Sequence, residues 1–232
     1  MVGKDCWRVV DRKPILIVVS VEPEKQAVLQ GLGNSSAYEV LVGGVGMAQA
    51  AARTARQLAQ KHYQGTINMG IAGGFPGKAA NGTVAVATSI IAPEIGAESP
   101  EGFLTIDALG FGTQTLPAVA NDSYIGKLQE AVSVATGTIL SVMTVTGTEA
   151  TLNVRQSYGK DVVAEAMEGF GVASAAAEFG LPFAEVRSIS NQVGIRDKAS
   201  WEFASAFSSL TKAAEKLKEV EQHGDCLFTM SK

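Results

Sequence analysis

One stretch, residues 161–197 (DVVAEAMEGFGVASAAAEFGLPFAEVRSISNQVGIRD), constrains the fold more than any other part of the chain. Residues 161–167 form a largely apolar run that meets a carboxylate, Glu168. A helix rich in small residues follows, and Gly180 with Pro182 just beyond it marks the usual C-terminal stop. A second apolar run, residues 183–189, ends in Ser190 and Asn191. Strand, helix and strand in this order, with a crossover of this length, predict a parallel pair. Ligands of open α/β sheets lie at the carboxyl ends of the strands, so Glu168 and Asn191 are expected to face one pocket.

The rest of the chain repeats this alternation. Residues 14–21 (PILIVVSV) read as a buried strand ending in Glu22, Pro23 and Glu24, with a helix from about Lys25. Two carboxylates there are explained either by chemistry or by an acidic first turn that complements the helix dipole. Residues 38–42 form a short strand closed by Gly43, Gly44, Val45 and Gly46. Met47, Ala51, Ala55, Leu58 and His62 then recur at helical spacing. This glycine turn is either an anion seat at a helix start or a plain tight turn. Residues 66–70 are a strand ending in Ile71, Ala72, Gly73 and Gly74. Residues 83–91 are another, before a Gly/Pro-rich excursion over 92–117 that is too long to be structureless. Short strands or a substrate cover are expected there, with Phe103 and Phe111 either as lid aromatics or as ordinary packing. Residues 121–135 read as a helix and 137–145 as a strand. From Trp201, the spacing of Phe203, Phe207, Leu210, Ala214 and Leu217 gives an amphipathic helix, and the tail from Gly224 is expected to fray.

The expected fold is therefore α/β: a three-layer sandwich whose central mixed, largely parallel twisted sheet is flanked by helices. At 232 residues, one domain spanning 1–232 can enclose a large core. A net charge of -4 argues against nucleic acid as partner, which usually asks for a basic stripe. The start lacks the apolar core of a signal peptide, and no run approaches the length of a membrane span. Cys6 and Cys226, unclustered, read as free thiols of a cytoplasmic protein, with a terminal disulfide as the other reading. Neither histidine has a partner that suggests a metal site, and no cofactor is expected.

Several of these segments resemble the purine nucleoside phosphorylase/nucleosidase superfamily. Met167–Glu168 and the Arg187–Ser188–Ile189–Ser190–Asn191 run match its signature, as do ILIVVSVEPE near the N-terminus and NMGIAGG in the centre. Within it, SNQVGIRDKASW and EGFLTIDALGFG are most similar to the futalosine hydrolase branch, nucleosidases of an alternative menaquinone pathway. The resemblance implies that Glu24, by its spacing from the first strand, activates a hydrolytic water. It implies that Ile71, Ala72 and Gly73 pass under the sugar and that Glu168 clamps the ribose hydroxyls with Met167 against the sugar face. The segment of Ala150 and Thr151 would meet the base, where many adenine-using relatives have an aromatic, and Trp201 would lie near the base or simply pack. Phosphate-binding relatives carry an Arg and a Ser where this chain has Asn68 and Ile71, and Arg53 and Arg56 lie inside a helix. Water is thus the expected nucleophile.

Asn191 departs from the adenine-specific nucleosidases, which use Asp to protonate N7. An amide cannot protonate, but it can donate to N7 or O6 while accepting from a lactam N1–H. A 6-oxopurine is the expected base, with Asp197 either assisting protonation or paired with Arg196. The expected activity is hydrolysis of futalosine to hypoxanthine and dehypoxanthine futalosine by a homo-oligomer, dimer or higher. A methylthioadenosine/S-adenosylhomocysteine nucleosidase, a 6-oxopurine phosphorylase and a non-catalytic nucleoside sensor are the alternatives.

Overall fold

A computed structural model describes residues 13–223 and 227–228. The first strand, β1 (Ile15–Val19), is followed by α1 (Glu22–Leu32), β2 (Tyr38–Val42), α2 (Met47–Gln60) and β3 (Thr66–Gly74). The middle of the chain holds β4 (Val84–Ile91), β5 (Gly96–Ser99), β6 (Gly102–Thr105), β7 (Thr115–Pro117) and α3 (Asp122–Gln129). After them come β8 (Val134–Ser141), α4 (Glu149–Gln156), β9 (Val162–Ala166), α5 (Gly169–Glu178), β10 (Phe183–Gln192) and α6 (Phe203–Gln222).

The main sheet is mixed, and it departs from the expected open sandwich. Strands β3, β10, β4, β8 and β9 pair in turn, and β9 pairs back onto β3, so five strands close a barrel-like ring. β1 and β2 extend from β3. The cause lies in β3. Its first residues pair with β1 (Leu16 opposite Thr66), whereas Gly73 and Gly74 pair antiparallel with Glu165 and Ala164 of β9. A Cβ on Gly74 would collide with the Ala79 carbonyl, so glycine lets the strand turn into its second partner. The expected parallel pairing of β9 with β10 is corrected: β3 stands between them, parallel to β10 and antiparallel to β9.

Helices cover the ring on both sides. Leu210, Ala214 and Leu217 of α6 share a core with Val28 and Leu32 of α1 and with Ile17, Ile67 and Val186 of the strands. α1 and α6 approach closely because a Cβ at Gly31 would collide with the Thr211 carbonyl. On the other side, Val172, Ala173 and Ala176 of α5 pack with Ala50 and Leu58 of α2. The small side chains read from the sequence let α5 sit flat on the strands.

Several boundaries differ from expectation. α1 starts at Glu22, placing Glu24 in its first turn. The helix expected over residues 121–135 ends at Gln129, because Val134 and Ala135 are already paired with Val84 and Ala85. β8 stops at Ser141, so Thr144 and Val145 belong to a loop. The 92–117 excursion contains the hairpin β5–β6, and β7 pairs with β4. On α2 the buried positions are Ala50, Thr54 and Leu58: Leu58 belongs to the expected stripe, whereas Ala50 and Thr54 lie one step before Ala51 and Ala55. The tail expected to fray docks in part: Leu227 is buried, and its carbonyl accepts from Asn121 N at 3.1 Å. Cys6 and Cys226 lie outside the described residues.

Candidate active site

Glu24 is buried although it lies in the first turn of α1. Its Oε2 accepts from Ser20 N (2.7 Å) and Val21 N (3.2 Å), and its Oε1 accepts from Ile71 N (2.9 Å). The carboxylate thus closes its own helix and also reaches across to β3. Burial pushes its carboxyl above the usual 4.5, against the Arg187 charge and the Ile71 and Ser20 N–H groups, while Glu168 adds a smaller upward push.

Glu168 holds the N-cap position of α5 without making a side-chain cap. Its Oε1 accepts instead from Gly46 N (3.0 Å), and its Oε2 accepts from Arg187 Nη2 (3.2 Å). The glycine turn after β2 thus gives an amide to a protein carboxylate. Arg53, expected to lie away from that turn, folds back so that Nη1 reaches the Val42 carbonyl at 3.4 Å, but it does not line the cavity.

Arg187 is the buried hub behind these acids. Its Nε donates to Glu185 Oε1 (2.7 Å), and its Nη2 donates to Glu168 Oε2 and to Asn68 Oδ1. Burial opposes its charge, but Glu185, Glu168 and Glu24 together raise its pKa, so it stays a cation. Asn68, where a phosphate-binding Arg was absent from the sequence, spends its amide on Val18 O (2.8 Å) and its carbonyl on Arg187.

These elements enclose a cavity of about 320 Å³. Glu24, Ile71, Ala72, Gly73, Met167, Glu168, Asn191 and Trp201 all line it, so eight of the residues singled out in the sequence meet at one place. Ala150 and Thr151 are not among its lining residues. Thr148 caps α4, its hydroxyl accepting from Thr151 N at 3.2 Å, and that cap carries both residues into the first turn of α4. Their neighbours Val145 and Thr146 line the wall instead. Phe103 and Phe111 are exposed on the hairpin side and are not part of the lining.

At the mouth, Asn191 Nδ2 donates to Gln192 O (3.1 Å) and Asn191 Oδ1 faces the Ser190 hydroxyl (2.9 Å). A carbonyl only accepts, so Gln192 fixes which side of the amide is nitrogen. One N–H and the remaining Oδ1 lone pair are left for a ligand. Arg196 does not pair with Asp197, one of the two readings of that acid. Its guanidinium lies 5.3 Å from the Trp201 ring centre, while Asp197 Oδ1 accepts from Ala199 N at 2.9 Å. Trp201 also meets Phe203 at 5.5 Å between ring centres, so it both packs and lines the cavity.

Sequence reasoning overlooked Glu165. It lines the cavity from within β9, accepting from Thr146 N (2.7 Å) and from the Thr146 hydroxyl (2.5 Å). Burial pushes its carboxyl up, and the Thr146 bonds offset part of that. The signal was a lone carboxylate in an otherwise apolar strand. Among the described residues, no group of three or more His, Cys, Asp or Glu side chains is arranged to hold a metal.

The sequence profile of the phosphorylase superfamily matches residues 23–222, from the first turn of α1 to the end of α6. The chain belongs to the phosphorylase superfamily. Two curated members are similar to it along most of their length. Futalosine hydrolase of Streptomyces coelicolor is 42% identical over 189 residues, covering 79% of both chains. Futalosine hydrolase of Acidothermus cellulolyticus is 38% identical over 214 residues, covering 85% of this chain and 87% of that one. Among solved superfamily folds, methylthioadenosine/S-adenosylhomocysteine nucleosidase from Neisseria meningitidis superposes with a TM-score of 0.74 at 18% identity, covering 89% of this chain and 99% of its own. Futalosine hydrolase of Helicobacter pylori superposes with a TM-score of 0.73, also at 18% identity, covering 91% and 98%. At that identity the two structures speak for the superfamily fold alone.

Proposed function

We propose that this superfamily member is an N-ribosyl hydrolase that cleaves the N-glycosidic bond of futalosine, releasing hypoxanthine and dehypoxanthine futalosine in menaquinone biosynthesis. The carrying observation is that Glu24, Glu168 and Asn191, far apart in the chain, line one cavity. The likeness to futalosine hydrolases at 42% and 38% identity supports the substrate.

Glu24 is the general base. A water seated by its carboxylate under C1′ gives up a proton to it as the oxygen bonds to C1′. The C1′–N9 pair of electrons departs with the purine, and a proton from solvent completes the base. Glu168, braced by Gly46 N and Arg187, accepts from the ribose hydroxyls, with Met167 beside the sugar. The free N–H of Asn191 donates to N7 or O6, where charge builds up, and its carbonyl accepts from N1–H. Adenine also pairs with an amide, through N7 and its exocyclic amine, so the choice between bases rests on protonation: an amide gives N7 no proton, and a 6-oxopurine, which departs as the more stable anion, tolerates that. Ile71, Ala72 and Gly73 form the floor under the sugar, and Trp201 closes the base end.

Water rather than phosphate fits the floor, because the Gly46 amide is spent on Glu168 and Arg53 lies outside the cavity. Futalosine, inosine and methylthioadenosine, each incubated with and without phosphate and separated by chromatography, test the reading. Hypoxanthine from futalosine without phosphate is expected. Product that requires phosphate, or adenine from methylthioadenosine as the main release, would reassign the enzyme. We further propose a single domain working in the cytoplasm as a homo-oligomer. Exposed Val45 and Ile195 beside the cavity support an apolar contact there, and light scattering at the monomer mass would count against it.

A further inference from the structure

A further buried acid beside the site, Glu185, takes no part in the steps above. Glu185 is fully buried on β10, one oxygen on Arg187 Nε at 2.7 Å and the other, Oε2, without a partner. A buried carboxylate with an orphan oxygen is costly, and its one partner is Arg187, two residues along the same buried strand. The chain makes room for it: a Cβ on Gly169, at the first turn of α5, would collide with this carboxylate.

What Glu185 touches suggests its use. Arg187 is held from three sides, by Glu185 at Nε and by Glu168 and Asn68 at Nη2. Glu24 is its near neighbour: a Cβ at Gly70 would stand 2.5 Å from Glu24 Oε1 and 2.8 Å from Arg187 Nη1. Yet among the described residues no ion pair joins Arg187 to Glu24, whose bonds go to three backbone N–H groups. A guanidinium paired directly to that carboxylate would make it a weaker base.

We propose that Glu185 is a positioning residue for the glycosidic cleavage, gripping Nε of Arg187 so that the guanidinium braces Glu168 and stays out of an ion pair with Glu24. The inference rests on Glu24 being the base. Facing Arg187 and Glu24, the charged groups are Glu168 from the β9–α5 junction and Glu185 from β10, while β3 presents neutral Asn68. Without Glu185, Glu24 is the remaining carboxylate of this cluster that has no ion pair.

The test is the pH profile of kcat/KM in the full chain, measured on whichever nucleoside the unaltered enzyme hydrolyses, so that an error in the substrate does not affect it. Glu185→Gln should lower kcat/KM about tenfold and move the acid limb down by about one pH unit. Gly169→Ala, which evicts the carboxylate without removing it, should move the limb the same way, and it decides the matter if Glu185→Gln does not fold. In an Arg187→Met background, Glu185→Gln should cost nothing more. Variants that melt earlier but keep the original limb and kcat/KM would overturn the proposal, as would an undiminished cost in the Arg187→Met background.

Discussion

Glu24 carries the most at the scale of single residues. Glu24→Gln should reduce kcat by roughly 10²–10⁴ while nucleoside binding, measured by calorimetry, stays largely intact. Loss of both together would mean that the side chain holds the fold rather than moves a proton. Because burial raises this carboxyl, it is protonated to a higher pH than a free glutamate, and a protonated base cannot accept. The acid limb of kcat/KM should therefore lie above pH 4.5, and a limb at or below that value would remove Glu24 from the role. Asn191→Asp should raise the rate on adenosine relative to inosine, since only the acid can give N7 a proton. An unchanged ratio would show that the base is read elsewhere. These residues were legible because each follows a strong apolar run, where a polar side chain stands out. Glu165 and Glu185 were not, and Arg187 was legible only as part of a signature without a role, since their importance depends on which strands flank β9 and β10.

Among the elements, α4 shows what the family resemblance alone did not convey. The Thr146–Thr151 segment reads as a base-binding loop, but Thr148 turns its second half into a capped helix. Thr148→Ala should cost about 0.5–2 kcal/mol of stability and raise KM more than it lowers kcat, because the loop carrying Thr146 loosens. Leu217 joins α6 to α1, and its truncation to Ala should cost about 2–5 kcal/mol in denaturant melts with little effect on KM. Helix and strand identities were readable almost throughout, since periodicity reports local burial. Strand adjacency was not, because closure depends on Gly73 and Gly74 at the end of a nine-residue strand.

For the molecule as a whole, three buried carboxyls, Glu24, Glu165 and Glu185, hold protons more tightly folded than unfolded. The sign follows: their contribution to stability is complete below pH 4.5 and is withdrawn as pH climbs through their raised values. Glu165→Gln keeps both Thr146 bonds available and removes one of these groups. It should flatten the fall in melting temperature between acid and neutral pH, and an unaltered slope would contradict the assignment.

Ring closure leaves β3, β10, β4, β8 and β9 each hydrogen-bonded on both flanks, whereas β2 ends the sheet with one flank bare. Breathing of the barrel would require several ladders to part together, so its amides should exchange with deuterium only when the whole chain unfolds. Those of β2 can trade their hydrogens through small local openings. Walls this stiff leave the nucleoside to enter past the surrounding loops.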